Sequence, residues 1–196
     1  MFTKEKYFTI KEKYGKTSSF AIWGKTVSDM SVFDDQNEPW KQINDKYIIV
    51  ALNPAGEIPG IFENFHSQNK KHADERLMRG IQGTSLEGSF MTDLSMTKTP
   101  NSKEVFVGEK EADDLINLAK WFDNLKIVFI LSSKCKELDN YLGSHGLRVV
   151  RLLHYSFNNG RAIKRYCEDN DIFGNDGNEK YINALKHQIK SALKAF

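Results

Sequence analysis

Proline and cysteine are scarce in this chain, at four and two of 196 residues. Two cysteines, Cys135 and Cys167, make no disulfide framework, and a chain of this length buries enough apolar surface to fold without one. Both are expected as reduced thiols, which suits a cytoplasmic setting. No run approaches the roughly 20 consecutive apolar residues of a membrane span. Phe2, Thr3, Lys4, Glu5 and Lys6 have no apolar stretch behind them, so a secretory signal is not expected. An excess of one charge is also lacking. A net charge of +2 does not by itself argue for nucleic acid, so any basic footprint has to be local. With 40% hydrophobic and 28% charged residues and no internal repeat, residues 1–196 read as one globular domain.

Residues 1–45 mix aromatic and charged residues without clear periodicity, and are expected to form an N-terminal extension that packs on the main sheet. Within them, residues 20–23 suit a short strand. The first strong signal is the apolar run at 47–52, through Ile48, Ile49 and Val50. Unbroken β-branched runs of this kind suit strands buried on both faces, as in parallel sheets. Residues 89–94, 126–131 and 147–153 supply three more. Between them, helical spacing spans 110–124, with Leu115, Leu118, Ala119 and Phe122 on one face. A second helix is expected around Leu138 and Leu142, a third over the second half of 66–79, and a last one over 179–195. Strands alternating with helices predict an α/β fold, a three-layer α/β/α sandwich around a mostly parallel four-stranded sheet. Ligands of such sheets bind beyond the carboxyl ends of the strands, where Asn53, Asp93 and His154 fall.

These residues carry a resemblance. Val50, Ala51, Leu52, Asn53, Pro54, Ala55 and Gly56 resemble the first motif of the uracil-DNA glycosylase superfamily, G-x-N-P-G after a buried strand in several branches. Phe90, Met91, Thr92, Asp93 and Leu94 look like its central strand, which often ends in asparagine. His154, Tyr155 and Ser156, with Asn159 and Ala162 beyond, are similar to its last motif, H-P-S followed by asparagine and alanine. Asparagine in the first motif with histidine in the last is most similar to the single-strand-selective branch, and the likeness covers roughly residues 47–165.

The resemblance implies a DNA N-glycosylase, a hydrolase that flips a damaged or modified base out of DNA and breaks its glycosidic bond. Asn53 and His154 are then the catalytic pair. Histidine donates a hydrogen bond to the departing base, an electrostatic role worth about 2.7–4 kcal/mol, while the amide orients a water. Phe62, Phe65 and Asp93 are the expected base contacts, the two rings by stacking. Ala55, Gly56, Ser156, Asn158 and Asn159 are the expected phosphate or backbone contacts, with Lys164 and Arg165 as charge partners. The expected partner is DNA, single-stranded in particular, or a nucleotide; no membrane, cofactor or metal is implied. His66 and His72, with Asp74 near, are too few for a metal site, and the 169–177 stretch reads as a solvated loop rather than a calcium loop.

Four departures stand out. Asp93 replaces asparagine, and an ionised carboxylate only accepts hydrogen bonds, so it repels the O4 of uracil unless protonated or turned away. Tyr155 replaces proline and Ala55 replaces glycine. Residues 60–88 form a long charged insert, a lid or partner surface. Because asparagine is no strong base, enzyme activity stays open, with a non-catalytic nucleotide- or nucleic-acid-binding relative as the alternative. An interaction or DNA-mimic module using Glu109, Glu111, Asp113 and Asp114 ranks below both.

Overall fold

The computed structural model describes residues 2–69, 73–134 and 136–195. The readings of Cys135 as a thiol and of His72 beside His66 lie outside the described residues. Five strands form one sheet: β1 Ser19–Phe20, β2 Asn44–Ala51, β3 Ser89–Asp93, β4 Ile127–Ile130 and β5 Val149–Arg151, in the order β1-β3-β2-β4-β5. The β2–β3, β2–β4 and β4–β5 pairs are parallel, and β1 lies antiparallel on β3 at one edge. The sheet therefore has one strand more than the four-stranded expectation, contributed by the segment around residue 20.

Among the described residues six α-helices accompany it: α1 Lys4–Tyr14, α2 Asp74–Ile81, α3 Glu109–Ala119, α4 Leu138–Ser144, α5 Gly160–Asp169 and α6 Gly177–Lys194. Side-chain alternation along the strands divides the interior into two cores. Ile48, Val50, Phe90, Val128 and Ile130 face the layer built by α1, α3 and α4, where Tyr7, Ile10, Leu115 and Leu142 are buried. Ile49, Ala51, Met91, Ile127 and Phe129 face the opposite layer, where α2, α5 and α6 bury Leu77, Ile163, Tyr181 and Leu185. Both faces of the sheet are covered, which is why its strands read as unbroken apolar runs. At Gly80 of α2 an added Cβ would sit 2.6 Å from Leu185 Cδ2, so α2 and α6 approach closely there.

Two helices were not expected from sequence. The buried residues of α1, Tyr7 and Ile10, are spaced at one helical turn but sit among exposed lysines and glutamates that mask the pattern. For α5, only Ile163 and Cys167 are buried, four residues apart. The chain leaving β2 passes to the α2 face, whereas the chain leaving the adjacent β4 passes to the α4 face. That reversal opens a crevice at the carboxyl end of the central strand, where ligands of open α/β sheets bind. Among the described residues no helix is long and apolar enough to cross a membrane.

Candidate functional site

Asn53 follows β2 directly, and its amide holds the neighbouring loop. Asn53 Nδ2 donates to the carbonyls of Pro54, Thr97 and Thr99 at 2.9, 3.0 and 2.7 Å. The segment after β3 is thereby tied to the β2 loop, reinforced by Thr99 N–H donating to the Pro54 carbonyl at 3.1 Å. The amide nitrogen expected to orient a water is committed to this latch, and only Oδ1 lacks a partner among the described residues. Replacing Asn53 with alanine is expected to loosen residues 95–99, read as faster amide hydrogen exchange there while β2 and β4 stay protected.

Beside the latch runs a cleft of about 460 Å³, lined by Ala55, Gly56, Asn64, His66 and Asp74 among others. Ala55 is exposed, and a Cβ built on Gly56 meets no atom within 4 Å, so the backbone of both is open to a ligand. Phe62 and Phe65 do not offer stacking faces here. Both have left-handed backbone, at φ 62° and 67°, which turns their rings inward. Phe62 is fully buried against Phe20 and Phe33, at 5.3 and 5.2 Å between ring centroids. Phe65 lies in the other core, at 4% exposure. Two non-glycine residues held this way cost on the order of 1–3 kcal/mol each, and such strain clusters at ligand sites.

Asn64, between the two rings, spends its amide hydrogens on the Thr17 carbonyl and on Asp93 Oδ2, both at 2.8 Å. Asp93, the last residue of β3, is 6% exposed, and burial pushes its carboxyl up to about 7 against the Asn64 hydrogen bond that lowers it. Asp74, the first residue of α2, is 5% exposed and accepts the Ser67 backbone N–H at 2.9 Å. The Tyr155 hydroxyl donates to Asp74, and burial together with the negative fields of Asp74 and Asp93 raises that phenol well above its ordinary range. Two carboxyls and a phenol thus share one buried patch, which reaches the cleft through Asp74. Arg76 flanks it, donating to the Tyr155 carbonyl at 3.2 Å and to Asn178 Oδ1.

His154 leaves β5 at the same end of the sheet. β4 lies between β2 and β5, so Asn53 and His154 follow strands two places apart in the sheet. The Ser156 N–H donates to His154 Nδ1 at 3.0 Å. An acceptor role at Nδ1 fixes the proton on Nε2, and burial lowers the ring to about 4, so it is neutral at pH 7. Its ring stacks on Tyr155 at 4.7 Å and 9°. Asn159 Nδ2 donates to the His154 carbonyl at 3.3 Å, so Asn159 and the Ser156 backbone orient the histidine. Asn158 is exposed. Lys164 and Arg165 stand 3.7 Å from Glu168 and Asp169, as exposed pairs along α5. His66 is held by the Val27 carbonyl and Ser19 Oγ, and burial lowers it to about 4.

The structure brings Ala55, Gly56 and the Asp93 partner Asn64 together at one cleft, with Asn53 and His154 at the same sheet end. Nothing in the sequence marks Asn64, and Asp74 stands out there only as a neighbour of His66 and His72. An Asp-Glu pair before an apolar run marks a helix start, but nothing local says that its carboxylate is buried against Tyr155. Among the described residues no three His, Cys, Asp or Glu side chains gather to hold a metal ion. Fold and site define a mostly parallel α/β protein with a polar crevice at the carboxyl end of its sheet. No protein-family model, curated protein or solved structure matches the chain.

Proposed function

We propose that the crevice binds a nucleobase of single-stranded DNA and that the chain is an N-glycosylase of the uracil-DNA glycosylase type, with a three-layer sandwich of that family's kind. The observation that carries this reading is His154: neutral, oriented through Nδ1, and left with an Nε2–H donor at the strand end. A neutral imidazole suits a base leaving as an anion, because it can donate a hydrogen bond without first losing a proton. Asp93 is the edge-reading group, held in place by Asn64. A second cleft of about 510 Å³, with Lys16, Ile61, Met96 and Lys98 in its walls, adjoins the first across Pro54, Ile58 and Pro59. It suits the neighbouring nucleotide, with an apolar floor for a base and lysines for phosphate.

The test is strand cleavage by alkali after incubation with single-stranded oligonucleotides, each bearing one candidate base. Cleavage is expected, and His154→Ala should slow it by about 10²–10³-fold. No cleavage above the His154→Ala background on any substrate overturns the hydrolase. A second reading, binding without cleavage, is favoured by the commitment of the Asn53 amide to three carbonyls. Retained oligonucleotide binding without cleavage would select it.

A further inference from the structure

The deep end of the cleft holds a carboxylate for which the reading so far has no use. Asp74 lies where the cleft of about 460 Å³ meets a second of about 300 Å³ formed by α2 and α6, and lines both. One carboxylate oxygen is fixed by the Ser67 N–H, and the Tyr155 hydroxyl holds the group from the sheet side. Beside it Asn64, only 8% exposed, lines the same cleft with an Oδ1 that has no partner among the described residues. An acceptor open to the cleft in this way, next to a fixed carboxylate, is a place for a water molecule or a polar ligand edge.

Resting on the N-glycosylase reading, we infer that Asp74, and not Asn53, is the general base that activates the attacking water, with Asn64 Oδ1 as the second acceptor for that water. The Asp74 carboxylate removes one proton from water as the oxygen lone pair forms the bond to the sugar C1′. The C1′–N bond breaks, its electron pair leaves with the base, and His154 Nε2–H donates a hydrogen bond to the base anion, which then takes a proton from solvent. Asn53 is a positioning residue in this scheme, since its latch fixes the wall of the cleft. Among the described residues, the ionisable groups near Asp74 include Asp93 from β3 and Tyr155 from the β5 loop, Glu63 and His66 along the first cleft, and Glu75, Arg76 and Arg79 along the second.

The experiment measures alkali-revealed cleavage by full-length wild type, Asp74→Asn and Tyr155→Phe. Substrates are single-stranded oligonucleotides with one uracil, cytosine, adenine or hypoxanthine, across pH 4 to 9. Asp74→Asn should lower kcat by about 10²–10⁴-fold, leave oligonucleotide affinity within about threefold, and abolish the fall in rate on the acid side. Tyr155→Phe removes a donor to the carboxylate, so it should move that acid-side fall to higher pH, which keeps the test valid if Asp74→Asn does not fold. Wild-type cleavage with Asp74→Asn within about tenfold and the acid limb unchanged overturns the role of Asp74 alone. An unmoved acid limb in Tyr155→Phe does the same. Absence of wild-type cleavage on every substrate removes the N-glycosylase reading and this role with it.

Discussion

Replacing Phe62 with alanine is expected to cost about 3–5 kcal/mol of folding stability, the range for emptying a large buried aromatic site. The ring is fully buried and touches Tyr7, Phe20 and Phe33, with centroids 5.7, 5.3 and 5.2 Å away. Its backbone is pinned as well, because the Phe62 N–H donates to the Gly15 carbonyl at 2.6 Å. The surrounding rings belong to α1, β1 and the segment before β2, so the vacated space cannot collapse without moving several elements. A base-stacking residue would behave oppositely, with little change in stability and weaker ligand binding. Urea denaturation of the variant decides between the two. A loss under about 1 kcal/mol, typical of surface substitutions, would refute the core assignment.

Asp93→Asn should stabilise the protein at alkaline pH, by up to about 4 kcal/mol. The carboxyl moves from 3.8 when exposed to about 7 in the folded protein, through burial first, with the field of Asp74 adding to it. A raised carboxyl means that the folded state keeps a proton the unfolded chain has released. The stability tied to that proton is complete below pH 3.8, is lost progressively between pH 4 and 7, and is absent above. Asparagine carries no charge to bury and still accepts from Asn64, so the variant and wild type should agree at low pH and diverge upward. His66 and His154 work the other way. Both are held neutral at about 4, so their contribution is complete above 6.5 and lost as pH falls toward 4. Two histidines outweigh Asp93 below pH 6.5, so the wild type should peak near pH 6 to 7 and fall slightly by pH 7, whereas Asp93→Asn should rise to a higher plateau above 6.5. Equal denaturation midpoints for the two proteins at pH 8 would contradict this. The same substitution restores a donor and an acceptor toward a uracil edge, so uracil excision should rise with it above pH 7.

The parallel core strands were legible because each is buried on both faces, which removes the polar residues that would otherwise interrupt Ile48, Ile49 and Val50 or Val128, Phe129 and Ile130. The carboxyl ends of those strands also followed from sequence, and with them Asn53, Asp93 and His154. The orientation of side chains around these ends did not follow. Phe62 and Phe65 belong to the core because left-handed backbone at both positions turns the rings inward, and no residue pattern signals φ 62° or 67° in phenylalanine.

Sequence by itself determined the alternation of strands and helices and the end of the sheet that carries the polar loops, since burial periodicity is a local property written along the chain; that β2 and not β3 is the central strand came only with the pairing. Tertiary structure alone decided which polar groups stay open. Asn53 gives its amide to Thr97 and Thr99, while Asp74 and Asp93, nineteen residues apart in the numbering, share one buried patch with Tyr155. Hydrogen-bond partners and desolvation come from residues distant along the chain, so their outcome is fixed only once the strands have paired and α2 has closed over them.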